Sequence, residues 1–395
     1  MNSEESFAPG PPTTQVTLKT FAFANLSSMF VLIGATASIY GPLLIRFSQK
    51  FHVTLPAAGI VLSIHFVGSF VGVLLGWAGV RRFRGNVVIG ATLSCLALGA
   101  VVVALANHWD LVLVGVFLVG VGFGGVDFAL NTVLARTALK GRAHRLSLAN
   151  AGYGVGAVIG PLLVFAVHPK NFPLLFGGVA VFAVVLSTLN RGIVAPPLSA
   201  DAMAQERLAY SRERRPILVT FIIAYVLYTA AETSTSGWIA SQLHREGFAT
   251  SVGSLATGGF WLAMAFGRSM GGPLYKRFSD KSLVLAGLAS CIVLSVAAYS
   301  HSVAPYVYPL IGLVLASVYP MGLIWYTVLC PHDSNGLALI ILFLMGGGII
   351  GPAVESLMVA TYGIHAVPLV IAAFAFLDIL AFSYALRYKP LAITV

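Results

Sequence analysis

The stretch GVGFGGVDFALNTVLAR, Gly120 to Arg136, sets one carboxylate, Asp127, inside a run of glycines and apolar side chains that reaches back without a charge to Leu111. A helix rises 1.5 Å per residue, so about 20 such residues span a hydrocarbon core. The segment therefore reads as a transmembrane helix with an acid inside it. The same pattern fills the chain. Of its 395 residues 58% are hydrophobic and 9% are charged, against about 25% charged in a soluble domain. So few charges cannot cover the water-facing surface of a protein this large.

Near-charge-free runs fall at 20–45, 54–80, 86–107, 110–135, 146–168, 172–190, 216–240, 251–275, 282–300, 304–330, 336–361 and 364–386. Strands of a β-barrel would be about half as long and would alternate in polarity, which these do not. The expected fold class is an all-α polytopic membrane protein with twelve transmembrane helices.

The net charge of +10 orients the chain rather than marking a nucleic-acid partner. With the N-terminus in the cytoplasm, 19 of the 23 Lys and Arg fall on the inner side, and only Arg46, Lys50, Lys170 and Arg245 on the outer. This is the positive-inside pattern, with both termini cytoplasmic. The expected location is a bacterial-type plasma (inner) membrane. Residues 1–18, with two Glu and three Pro but no basic stretch, read as a disordered tail rather than a signal peptide. Cys95, Cys291 and Cys330 lie in or beside apolar segments with no CxxC spacing, so neither disulfides nor a zinc site is expected.

A polar interval at 191–215 divides the helices six and six. The halves then repeat. Gly72-x-x-x-Gly76 with Arg82-Phe83 matches Gly267-x-x-x-Gly271 with Arg277-Phe278 at a shift of 195. Asn131-Thr-Val-Leu134 matches Tyr326-Thr-Val-Leu329 at the same shift, and Gly156-x-x-x-Gly160-Pro161 matches Gly347-x-x-x-Gly351-Pro352 at 191. An even number of helices per half makes the repeat parallel, as in transporters that rock two bundles about a midplane site. The expected domains are bundles at 19–190 and 216–388, with a short tail at 389–395.

On these motifs the chain resembles the major facilitator superfamily. Its hallmark turns appear as Gly76-Trp-Ala-Gly-Val-Arg81-Arg82-Phe83-Arg84-Gly85 and Gly271-Gly-Pro-Leu-Tyr-Lys276-Arg277-Phe278, both without the family's acidic residue. Within the superfamily, Gly120, Gly122, Asp127 and Asn131 resemble the fourth helix of the fucose-permease-like branch of sugar/proton symporters. Tyr228 to Glu232 with Trp238, Phe260-Trp261 with Gly267-Arg268, Arg145-Leu146 and Tyr319-Pro320 add to that likeness. Fucose permease also carries a carboxylate in helix 1, where Ser38-Ile-Tyr40-Gly41-Pro42 has none, so fucose itself is not implied.

His65, Asp127, Glu232, Glu355 and Asp378 fall well inside predicted spans. An ionised group at the centre of a lone helix in lipid costs roughly 2.5–3.5 kcal/mol. A carboxylate facing a closable cavity is thus suited to bind a proton on one side of a membrane and release it on the other. Asp127, Glu232 and Glu355 are the expected proton-coupling residues. Asn131 lies one turn from Asp127 and can bond a hydroxylated solute; the alternative for Asp127 is an interhelical contact. Tyr225, Tyr228 and Glu232 form one stripe, suited to a sugar's C–H face and hydroxyls. Trp238 and Trp261 either stack on the solute or sit at the bilayer interface. Tyr40, Asn150, Tyr153 and Tyr326 complete the expected substrate set. Arg82, Arg136, Arg268 and Arg277 either close an inner gate by pairing with acids or snorkel to phosphates.

No Walker loop or hydrolytic triad stands out, and GVGFGG lies in a membrane helix, which voids a dinucleotide reading. The function expected is a proton-coupled, alternating-access transporter of a sugar or similar small polar solute, working as a monomer in the lipid bilayer without a cofactor. Gly156-x-x-x-Gly160-Pro161, similar to a motif of drug/proton antiporters, keeps a proton-driven exporter as the alternative.

Overall fold

The structure, a computed structural model, describes residues 20–136, 142–167, 171–190, 195, 214–270, 277–331 and 333–390. Residues 1–18, most of 191–215, the second basic turn at 271–276, the side chain of Asn150 and most of the 389–395 tail lie outside this description. The described residues contain helices and no strand.

Twelve spans run in chain order. Span 1 is Thr20–Ser38 with Tyr40–Phe51, span 2 is Leu55–Arg82, span 3 Gly85–Leu105, span 4 Trp109–Ala135, span 5 Arg142–Ala166 and span 6 Phe172–Leu189. Span 7 is Arg214–Arg245, span 8 Thr250–Ser269 and span 9 Asp280–Ala297. Span 10 is Ala304–Leu315 with Val318–Leu329, span 11 Ser334–Phe343 with Met345–Tyr362, and span 12 Ala366–Ala385. Ten of the spans contain a helix or helix pair long and apolar enough to cross a membrane, and Ala151–Ala166 of span 5 is a shorter apolar helix. On the charge pattern above, the ends near residues 52, 107 and 247 are the outer ends.

Three spans are broken, which the continuous hydrophobic runs did not predict. Pro42 has no N–H for the carbonyl of Ser38, and Pro320 none for that of Ala316. The helices part beside those carbonyls, at Ile39 and at Ala316–Ser317. Span 11 breaks at Leu344, just before three glycines that weaken a helix.

The repeat reappears in the packing. A Cβ on Gly72 would collide with the Val121 carbonyl of span 4, and one on Gly267 with Ala316 of span 10. Those two partners are themselves 195 residues apart. A Cβ on Gly156 would collide with the Val31 carbonyl of span 1, and one on Gly347 with the Val226 carbonyl of span 7, again a shift of 195. Glycine at each point lets two backbones meet with no side chain between them. Gly156 and Gly160 both pack on span 1, Gly160 against Ser38 and the Ala35 carbonyl. The antiporter-like motif is thus used here for close packing.

The two sets of six spans meet along an outer seam. The Ser63 hydroxyl donates to the Ile349 carbonyl at 2.8 Å, and Ser69 reaches the Met345 sulfur at 3.6 Å. Gly41 lies against Ser236 and Gly237, and Gly59 against Trp238 and Ser356. Spans 5 and 8 meet as far inward as Gly154 and Ala265, one turn from Arg268.

Candidate functional site

Just inward of that seam, side chains from both halves face one space. Span 4 contributes Asp127, half-buried in its last two turns. The Asn131 amide donates to the Asp127 carbonyl at 2.9 Å and to its Oδ1 at 3.1 Å. Both amide hydrogens are thereby used, so Asn131 orients Asp127 and keeps only its own oxygen for a ligand. Asp127 Oδ2 has no partner among the described residues.

From the other half, Glu232 on span 7 meets Arg268 on span 8 at 3.4 Å. The same guanidinium nitrogen reaches the Tyr228 hydroxyl at 3.4 Å. Glu232 is 13% exposed and Arg268 37%, so the arginine stands open with donors to spare. This is the only ion pair among the described residues.

Two tyrosines lie between the halves. Tyr153 of span 5 stands in the electrostatic field of Glu232, Asp127 and Arg268, and Tyr319 of span 10 in that of the same three groups. The Arg268 guanidinium lies 5.8 Å from the centre of the Tyr319 ring. The Tyr319 backbone is fixed by Tyr225, whose hydroxyl donates to the Tyr319 carbonyl at 2.6 Å, close to the break in span 10. Tyr319 was visible in the sequence only as part of a family-like pair with Pro320.

Asp127, Asn131, Tyr153, Tyr228, Glu232 and Arg268 are thus brought together. Other expected residues are not. Tyr40 is wholly buried in the first half, 5.1 Å from the His65 ring and 6.3 Å from Phe176. His65 is enclosed by Tyr40, Phe66 and Phe123, and neither ring nitrogen has a partner. Trp238 is wholly buried in the outer seam, and Trp261 is buried edge-on to Phe260. Tyr326 donates to Asp333 at 2.7 Å across the turn between spans 10 and 11. Glu355 is sealed beside the seam, and Asp378 sits among spans 7, 9 and 12 near Tyr225 and Cys291. Arg82 and Arg277 are exposed without an ion-pair partner among the described residues, whereas Arg136 is half-buried.

Two repeated sets of spans around a charged, polar space between them define the architecture of a secondary transporter. The chain belongs to the Major Facilitator Superfamily, whose family model matches residues 26–338. It is similar to the glucose/mannose transporter GlcP of Bacillus subtilis (strain 168), 22% identical over 77% of this chain and 78% of that one. It is also similar to the L-fucose-proton symporter of Escherichia coli (strain K12), 28% identical over 38% of this chain and 35% of the relative. Among solved structures, a bacterial homologue of the lysosomal transporter Spinster, inward-facing and occupied, superposes with a TM-score of 0.77 at 14% identity, covering 94% of this chain and 97% of that one. FucP in its outward conformation gives 0.60 at 21% identity, covering 92% and 98%.

Proposed function

We propose that this protein imports a sugar or similar polyhydroxylated solute together with protons, working as a monomer in a bacterial-type inner membrane with both termini in the cytoplasm. One observation carries the reading. A carboxylate from each half, Asp127 and Glu232, faces the same space, and Arg268 is the one guanidinium ion-paired with either of them among the described residues. Closing that space with one negative charge uncompensated costs several kcal/mol. A proton bound at Asp127 removes the charge, so loading of the proton permits closure and reorientation of the two sets of spans.

The remaining groups suit a hydroxylated ring. Tyr153 and Tyr319 offer hydroxyls, Arg268 offers N–H donors, and Asn131 and Asp127 offer oxygens. The sugar and proton names of relatives such as the glucose/mannose transporter and the L-fucose-proton symporter support the same reading. Exposed Arg82 and Arg277 fit an inner gate that forms when the inner side closes, and half-buried Arg136 is assigned to the same gate.

The test is charge movement in proteoliposomes on a solid-supported membrane, with hexoses, pentoses and sugar acids applied to wild type and Asp127→Asn. The expected result is a sugar-evoked inward current, strengthened by an imposed proton gradient and lost in the variant. Silence for every sugar with responses to lipophilic cations overturns the importer in favour of an exporter.

A further inference from the structure

Glu355 lies outside the space just described. It is 0% exposed, and neither carboxylate oxygen makes a hydrogen bond of full geometry among the described residues. The groups beside it come from three directions. Ser234 of span 7 is the polar side chain against it, and the Tyr308 hydroxyl of span 10 lies in its field. Tyr308 donates to Gln242, whose amide holds Glu246 at 2.8 Å near the outer surface. On span 11 its neighbour Ser356 also has an unpartnered hydroxyl. No lysine, arginine or histidine is paired with it among the described residues.

The cover over this pocket is the seam itself. Trp238, one turn beyond Ser234, presses its ring on Gly59 of span 2 together with Ser356, and only the missing Cβ of Gly59 admits them. Among the described residues the Trp238 indole N–H and the Ser241 hydroxyl are unpartnered too. A row of polar groups without partners along one seam is costly in a state that persists. The row is accounted for if the seam opens to water on the outer side.

We propose that Glu355 is a second proton site, loaded from the outer side only, and that its protonation licenses closure of the outer seam. This rests on the alternating-access reading above and adds when, and from which side, a proton is required. An ionised Glu355 disfavours the sealed state on the order of 100-fold relative to its neutral form, by the membrane cost of a lone charge. Over about two pH units above the ordinary glutamic acid range, near 4.3, each unit of outer pH then weakens seam closure up to tenfold, to a total of about 100-fold. Tyr308 is neutral throughout this range. Glu246, the other acid of the network, faces Glu355 only through Gln242 and Tyr308.

The experiment places nitroxide labels on Thr54→Cys and Tyr362→Cys, at the outer ends of spans 2 and 11, in the full chain reconstituted in nanodiscs. Distances are measured between pH 5 and pH 8 without substrate. The expected result is a population that lengthens as pH rises in wild type. Glu355→Gln stays short at every pH, and Glu355→Asp, which keeps the acid, retains the shift. A wild-type distance independent of pH, or a shift that survives in Glu355→Gln, overturns the proposal. No solute enters the measurement, so a failed sugar assay beside an intact pH shift sinks the substrate reading and leaves this one standing.

Discussion

Gly156→Ala adds a single methyl group where spans 1 and 5 cross, and its effect can be worked out from the backbone alone. Its Cβ would fall on the Val31 carbonyl oxygen and lie 2.8 Å from the Ala35 nitrogen. Neither atom can rotate away, so the two helices must separate by about 1 Å, which forfeits a quarter to a half of the contact energy of atoms displaced that far. Overpacking of this kind costs about 1–3 kcal/mol. Alanine returns at most about 1 kcal/mol of helix propensity, so the net change runs from about zero to a loss of about 2 kcal/mol. Gly177 on span 6 supplies the control: a Cβ there meets nothing within 4 Å, so Gly177→Ala keeps the gain of propensity. The repeat adds a second arm. Gly347→Ala would meet the Val226 carbonyl and the Ala230 nitrogen, the latter again at 2.8 Å, and should lose about as much as Gly156→Ala. Thermal unfolding in one detergent, followed by intrinsic fluorescence, ranks the three variants. A Gly156→Ala protein that melts at or above Gly177→Ala refutes the packing argument, and unequal losses at 156 and 347 refute the equivalence of the halves.

Tyr319→Phe removes one hydroxyl from the shared space without disturbing Tyr225, which bonds only the Tyr319 carbonyl. The half-saturating sugar concentration should rise about 5- to 10-fold, the worth of about one hydrogen bond, with the maximal current little changed; an unchanged half-saturation rules out the contact. Asp378→Leu removes two buried oxygens that lack partners among the described residues and that do not face that space. It should raise the melting temperature, by a stabilisation of about 1–3 kcal/mol, and leave proton-driven uptake intact. Lost uptake in a well-folded Asp378→Leu protein would give that acid a role it lacks here.

The sequence was most readable where lipid imposes a length. Twelve runs could be counted from residues alone. Which way a side chain points was harder to read. In water an amphipathic pattern marks the inner face of a helix, but here the lipid-facing and protein-facing sides are both apolar. Glu232 and Glu355 therefore looked alike as mid-span acids, although one faces the shared space and the other lies sealed behind Trp238. Tyr326 shows a second limit. The repeat aligned it with Asn131, yet the alignment conserves backbone contacts, and its side chain is held by Asp333. Prolines were equally ambiguous: Pro42 and Pro320 lie beside breaks, while Pro161, Pro309 and Pro352 sit inside continuous helices.

The matched glycines also show what the halves do not share. At the shift of 195 that aligns the packing, Arg268 falls opposite Val73 and Asp127 opposite Gly322. Two copies of the first half would hold a pair of acids with no cation between them; two copies of the second would keep the cation without Asp127. The halves share the scaffold at the matched positions, while each supplies a different part of the charged set. Neither half rebuilt as a symmetric pair should therefore support the proton-coupled import proposed for the unequal pair.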